Sequence, residues 1–201
     1  MATVAPLDTF QEVSLPQGTV RYCDQGVGPA LVFIHGLFAN GVLWSRVIPQ
    51  LVSRFRCVAP ELPLGAHSSP LLPDADLSPL GLAHLVADFL EALDLHEVTL
   101  IGNDTGGALC QLLIAHHPER ISRLVLTNCD AFEQFFPPLV SPFHYGARVL
   151  GIRFANFLTW VLRMRFAQRL FMATLSHRRL GPAELDATFG PLLHLPFARR
   201  I

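Results

Sequence analysis

Three features of this chain predict an α/β fold class, a doubly wound and mostly parallel sheet. Short runs that are apolar on both faces recur at 30–34, 57–59, 98–101 and 124–126. Helical patterns stand between them. The segment Gly102-Asn103-Asp104-Thr105-Gly106-Gly107 joins the third run to the helix that follows. Strands covered on both faces read as continuous apolar runs, and alternation of strand with helix calls for parallel pairing through crossovers. With 201 residues and 51% hydrophobic content, the chain suits one domain and can fill its core.

Residues 10–24 read as two short strands around the turn Leu15-Pro16-Gln17-Gly18, with Val13, Val20 and Tyr22 facing inward. The run at 30–34 ends on His35-Gly36, and a helical pattern over 43–52 leads to the strand at 57–59. Ser78-Pro79 offers a cap and a first turn to a helix running to 93; proline fits there because a first-turn N–H has no helical partner to lose. The strand at 98–101 enters the glycine-rich turn, and a helix over 108–116 follows, closed by Pro118. After the strand at 124–126 come Phe135-Phe136-Pro137-Pro138 and an arginine-studded, aromatic helical stretch over 143–175, read as an inserted lid. The expected division is a core at 1–131 and an incomplete lid region at 132–201. The last strands and helices of such a sheet are missing from this organisation, which leaves an exposed edge and an uncovered apolar face.

Net charge is −1, yet residues 1–133 hold 14 acids and 6 arginines while 134–201 hold 2 acids and 9 arginines; lysine is absent. No basic face has the aromatic or motif support that nucleic-acid binding requires, so no nucleic-acid partner is expected. The basic, aromatic stretch at 148–179 has a second reading, as a contact for an anionic membrane surface; the lid reading stands ahead of it, because a lid needs an apolar inner face. Cys23, Cys57, Cys110 and Cys129 lie in or beside apolar runs and read as small hydrophobes rather than disulfides or ligands, which suits a reducing, cytoplasmic setting. No uncharged stretch makes a ~20-residue span and the N-terminus lacks a signal-peptide pattern, so no stable membrane insertion is expected. The histidines show no metal spacing and no phosphate loop is present, so neither metal nor cofactor is expected. A homo-oligomer is compatible with the sequence but nothing specifies one.

The chemistry centres on Asp104. A carboxylate on a sharp strand-to-helix turn between glycines sits in a strained backbone, as a nucleophile elbow requires. A serine there must surrender a proton to attack, whereas a carboxylate with an ordinary pKa of ~3.9 is already ionised and can attack an sp3 carbon unaided.

His35-Gly36 at a strand end, Trp44 shortly after it, Pro60 to Leu64 after the next strand, and the elbow at Asp104 together resemble the α/β-hydrolase superfamily over nearly the whole chain. An aspartate at the elbow resembles the narrower haloalkane dehalogenase and epoxide hydrolase branch. The resemblance implies the α/β-hydrolase fold with a helical lid, and a hydrolase that acts on a small apolar electrophile (epoxide, haloalkane or ester) through an Asp104 alkyl ester. It implies oxyanion amides at Leu37 and Thr105. It also implies a water-activating histidine late in the fold, beyond Ile201, so that the chain reads as a C-terminally truncated fragment.

Some members of that branch carry, after the strand next to the elbow, the acid that orients this histidine; Asp130 occupies that place, although its Asn-Cys-Asp-Ala context equally suits a turn or cap. Glu133 is a weaker candidate for the same task. Phe38 of the His-Gly loop and Tyr145 and Trp160 of the lid are the candidate substrate contacts, with packing as the alternative for lid aromatics. Thr105 stands where such dehalogenases carry a halide-binding tryptophan, and the lid holds Tyr145 where such epoxide hydrolases present two tyrosines. His35 reads as a structural loop residue, and His116 and His117 as helix-end cations. The alternative function is a hydrolase-like protein that binds an apolar ligand under its lid without turnover.

Overall fold

The computed structural model describes residues 10–129, 146, 149–175 and 179–194. Six strands form one mixed sheet in the order β1-β2-β4-β3-β5-β6: β1 (Phe10–Leu15), β2 (Gly18–Gln25), β3 (Ala30–Ile34), β4 (Arg56–Pro60), β5 (Val98–Asn103) and β6 (Ile121–Thr127). The opening hairpin pairs Val13 with Val20, and β2 lies antiparallel to β4. From β4 through β3 and β5 to β6 the pairing is parallel. The continuous apolar runs have the physical cause expected of them, since Val32, Phe33, Ile34, Cys57, Val58 and Ala59 have no exposed surface.

Because successive side chains of a strand point to opposite faces, each face of the sheet receives its own core. Val32, Ile34, Val58 and Leu100 pack with the residues of α2 (Pro79–Ala92) and α3 (Thr105–His116), including Leu85, Phe89, Leu109 and Leu113. Leu31, Phe33, Cys57 and Ala59 pack on the other face with Trp44 and Ile48. Covering a Phe or Leu fully in this way stabilises the fold by about 1.5–3 kcal/mol per side chain. Burial also pushes the thiols of Cys23 and Cys57 up to about 11 and that of Cys110 up to about 12. At the other edge β6 faces water along its length, and Leu124, Val125 and Leu126 are 36–43% exposed.

Helix boundaries depart from the sequence pattern in three places. The segment 43–52 is a 3-10 turn (Gly41–Trp44) followed by the one-turn helix α1 (Ile48–Leu51). Pro49 lies in the first turn of α1, where its missing N–H costs nothing but where it cannot carry on a preceding helix. Helix α3 begins at Thr105, straight from the elbow. Within 143–175 the described residues form α4 (Ile152–Leu162) and α5 (Arg165–Leu175). The Gln168 side chain, 2% exposed, donates to the Leu162 carbonyl at 2.8 Å and satisfies the end of α4.

A further helix, α6 (Pro182–His194), escaped the sequence reading. Its signal was present: Pro182 opens it and the Glu184 carboxylate accepts the Gly181 N–H at 2.8 Å, half of a capping box. Leu162, Leu185 and Phe189 form a small core among these helices. None of the described helices is long and apolar enough to cross a membrane.

Candidate functional site

The site grows from the junction of β5 and α3. Asp104 follows the strand with φ +53° and ψ −133°, a conformation that a residue with a side chain rarely adopts. The surroundings impose it. The Asp104 N–H donates to the Asn128 carbonyl at 3.1 Å, and the Gly107 N–H donates back to the Asp104 carbonyl at 2.9 Å as α3 starts. Asn103 fastens the strand end to β6 through Nδ2, which donates to the Thr127 carbonyl at 2.8 Å and to its Oγ1 at 3.1 Å. Gly106 has to be glycine because a Cβ there would overlap the carbonyl oxygens of Ile34 and His35. The turn therefore projects one carboxylate beside the positive end of α3, where a negative charge is favoured.

The second part of the site is the loop after β3. The Leu37 N–H donates to Oδ2 of Asp104 at 3.0 Å, and the Thr105 hydroxyl donates to the same oxygen at 3.4 Å. Gly36 makes room for this meeting, since a Cβ there would overlap Oδ2 and stand 2.5 Å from Cβ of Asp104. Thr105 is the first residue of α3, so its N–H is one of the helix's unpartnered terminal donors. Leu37 and Thr105 are thus brought together on Oδ2 of Asp104.

His35 lies behind the loop and has no exposed surface. Nε2 accepts the Leu62 N–H at 2.9 Å, and Nδ1 donates to the Gly36 carbonyl at 2.9 Å. Both ring nitrogens are engaged in the neutral form. Burial, opposed by the Gly36 contact, pulls its pKa from 6.5 down to about 4. His35 is a brace for the loop rather than a base.

Phe38 follows with φ +56°, its N–H donating to the Leu64 carbonyl at 2.9 Å and its ring packed against the lid cluster. Trp160 is 58% exposed and stacks on Phe157, with centroids 6.2 Å apart. Asp130, Glu133 and Tyr145 lie outside the described residues. Among the described residues, no three His, Cys, Asp or Glu side chains converge as a metal site.

Two polar groups near the site were missed from the sequence. Asn40, 3% exposed, accepts the Val42 N–H at 3.1 Å and donates through Nδ2 to the Ala187 carbonyl of α6 at 3.1 Å. An asparagine ahead of Gly41 was a readable cap; its reach to a residue 147 positions away was not. Glu61, 7% exposed, accepts from the Ser68 hydroxyl, which accepts from Arg21 Nη1 at 3.2 Å. This network closes the loop that supplies Leu62 and Leu64 to the braces just described.

Comparison with known proteins agrees with this fold. A family model for the alpha/beta hydrolase fold matches residues 29–185. A haloalkane dehalogenase of Mesorhizobium japonicum is 32% identical over 136 residues, 67% of this chain and 41% of the relative. An uncharacterized protein of Mycobacterium tuberculosis is 36% identical over 103 residues, 51% of this chain and 30% of its own length. The chain therefore spans well under two thirds of these relatives.

Among solved structures, the epoxide hydrolase CorEH superposes with a TM-score of 0.78 at 19% identity, covering 96% of this chain and 70% of that one. A mutant of the haloalkane dehalogenase DatA from Agrobacterium tumefaciens gives 0.75 at 20%, covering 96% and 65%. With a strained acidic elbow, a His-Gly loop folded over it and a family match across most of its length, this chain belongs to the alpha/beta hydrolase fold family.

Proposed function

We propose that this chain carries the nucleophile of a hydrolase that opens a small apolar electrophile through an ester on Asp104. The observation that supports it most is the Leu37 N–H to Oδ2 hydrogen bond of 3.0 Å. Both described donors engage Oδ2, and among the described residues no hydrogen bond holds Oδ1. One oxygen is tethered and the other is free to attack.

In the first half-reaction Oδ1 forms a bond to an sp3 carbon as the bond from that carbon to halogen, or to a strained ring oxygen, breaks with its electron pair; a halide departs as the anion, and a ring oxygen takes up a proton to become the hydroxyl. Water then adds to Cγ of the ester, and the carbonyl electrons move onto Oδ2, where the amides of Leu37 and Thr105 stabilise them. Collapse expels the product oxygen, which takes up a proton, and restores the carboxylate. The proton lost by the water needs a base; His35 is not available, because both its nitrogens are engaged. Asp130 is proposed to orient that base, and Tyr145 and Trp160 to meet the substrate. The side chains of Leu37 and Thr105 offer a departing halide no indole or amide N–H, so this reading ranks a strained C–O electrophile ahead of a C–halogen one.

The test exposes the protein to a small terminal epoxide and, separately, to a bromoalkane, and follows intact mass and product release. A substrate-sized adduct on Asp104, or product, is expected from the native protein and neither from Asp104→Asn. Product formation undiminished in Asp104→Asn would sink the reading. A stable adduct with no product would instead favour ligand capture without turnover.

A further inference from the structure

Among the described residues before 130, Phe38 alone packs on the lid cluster of Leu162, Leu185 and Phe189. Its ring meets Phe171 of α5 edge-on at 6.3 Å and 78°, and Phe171 meets Phe189 of α6 in the same manner at 6.2 Å and 76°. The ring also lies against Gly65, where a Cβ would come within 3.1 Å of Cδ1. The backbone of Phe38 is left-handed, a state that costs a non-glycine residue about 1–3 kcal/mol unless its neighbours enforce it. The Leu64 carbonyl and the aromatic clasp supply that enforcement.

Phe38 immediately follows Leu37, whose N–H reaches Oδ2 of Asp104. Two residues beyond, Asn40 donates to the Ala187 carbonyl of α6. The lid thus grips the loop at 38 and at 40, on the side of Leu37 away from the β3 strand. A glycine at 38 would satisfy the backbone without strain. What phenylalanine adds is the ring.

We propose that Phe38 is a positioning residue: packed against both Phe171 of the lid and Gly65 of the core, it aligns the Leu37 N–H with Asp104 Oδ2, so that seating of the lid and alignment of the oxyanion donor are one event. This rests on the Asp104 reading above. Losing an oxyanion donor outright typically costs 10²–10³ in kcat. Loosening it from a distance should cost about tenfold, and mainly in hydrolysis of the ester, where charge develops on Oδ2.

The experiment compares Phe171→Ala, Phe171→Leu and Phe38→Gly in the full-length protein. One readout is hydrogen exchange of the Leu37 amide by NMR; the other is the split between kcat and KM. Phe171→Ala and Phe38→Gly are expected to speed Leu37 exchange at least tenfold and to lower kcat about tenfold, with KM falling in step so that kcat/KM stays within about twofold. Phe171→Leu, which keeps an apolar body in place of the ring, is expected to recover most of both effects, and Phe38→Gly, which glycine's backbone freedom favours, serves should the alanine variant fail to fold. Leu37 exchange at the native rate in both Phe171→Ala and Phe38→Gly would overturn the proposal. Failure of the underlying reading shows separately, as turnover that survives Asp104→Asn, and the exchange measurement would then still decide whether the lid controls the amide.

Discussion

The backbone N–H of Leu37 and the Oδ2 of Asp104 meet at 3.0 Å across 67 positions of sequence. Both groups stand on strand ends that are neighbours in the sheet, β3 and β5, paired in register from Leu31 with Thr99 to Ile34 with Gly102. Parallel pairing places the two carboxyl ends side by side, which is where ligand crevices form in open α/β sheets.

The elbow stores strain that the fold does not need. Asp104 at φ +53° and ψ −133° costs about 1–3 kcal/mol, while the exposed hydrogen bond to Leu37 returns about 0.5–1.5 kcal/mol. Asp104→Gly is expected to raise unfolding free energy in urea by about 1 kcal/mol and to abolish adduct formation. A variant less stable than the native protein would show that the elbow is unstrained.

Space at Gly36 is the condition for the Leu37 contact. A methyl group there would overlap Oδ2 and crowd Cβ and Cγ of Asp104, so either the loop or the carboxylate has to move. Gly36→Ala is expected to slow alkylation at least a hundredfold and to cost about 1–3 kcal/mol of stability, the usual toll of overpacking. Intact-mass kinetics with a small epoxide checks the first, urea unfolding the second.

Acid should loosen the loop through His35. Its folded pKa of about 4 lies below the ordinary 6.5, so between these values the unfolded chain binds a proton that the folded chain refuses. Stability from this residue is complete above pH 6.5 and falls as pH drops, by about 3 kcal/mol on reaching pH 4. Unfolding curves between pH 7 and 4.5 should show this slope in the native protein and a much shallower one in His35→Gln, after subtracting the common carboxylate titration. Equal slopes would mean that His35 does not carry it.

Two contacts tie α6 to the segment after β3, and their strengths differ. Arg46–Glu184, at 3.0 Å with the arginine side chain 48% exposed, belongs to a class worth about 0.2–1 kcal/mol. Asn40 is buried, and its loss strands the Val42 N–H and the Ala187 carbonyl, worth about 1–3 kcal/mol. Limited proteolysis of the lid is expected to accelerate markedly in Asn40→Ala and little in Arg46→Ala. The reverse order would move the lid's anchor to the surface ion pair.

Much of this architecture was legible in the linear pattern. Apolar runs located β3 and β4 because strands covered on both faces cannot alternate, the run at 124–126 marked β6 although that strand faces water, and the glycines around Asp104 announced a backbone that other residues would block. Ser78-Pro79 marked the start of α2 to the residue. The helical stretch after 143 was legible as helix but not as separate helices, because the break is made by the Gln168 side chain turning back to Leu162, a contact that hydrophobic periodicity does not record.

The sequence by itself determined the sheet, the acidic elbow and the candidate role of Asp104, since each rests on local spacing: period, turn residues and the chemistry of one side chain. Tertiary structure alone decided that Leu37 and Thr105 both address Oδ2, that His35 is locked in the neutral form, and that Phe38 and Asn40 are held by the lid. Those relations join residues tens to more than a hundred positions apart, where no local rule of spacing operates and only the packing of strand ends, loops and helices brings the groups within reach.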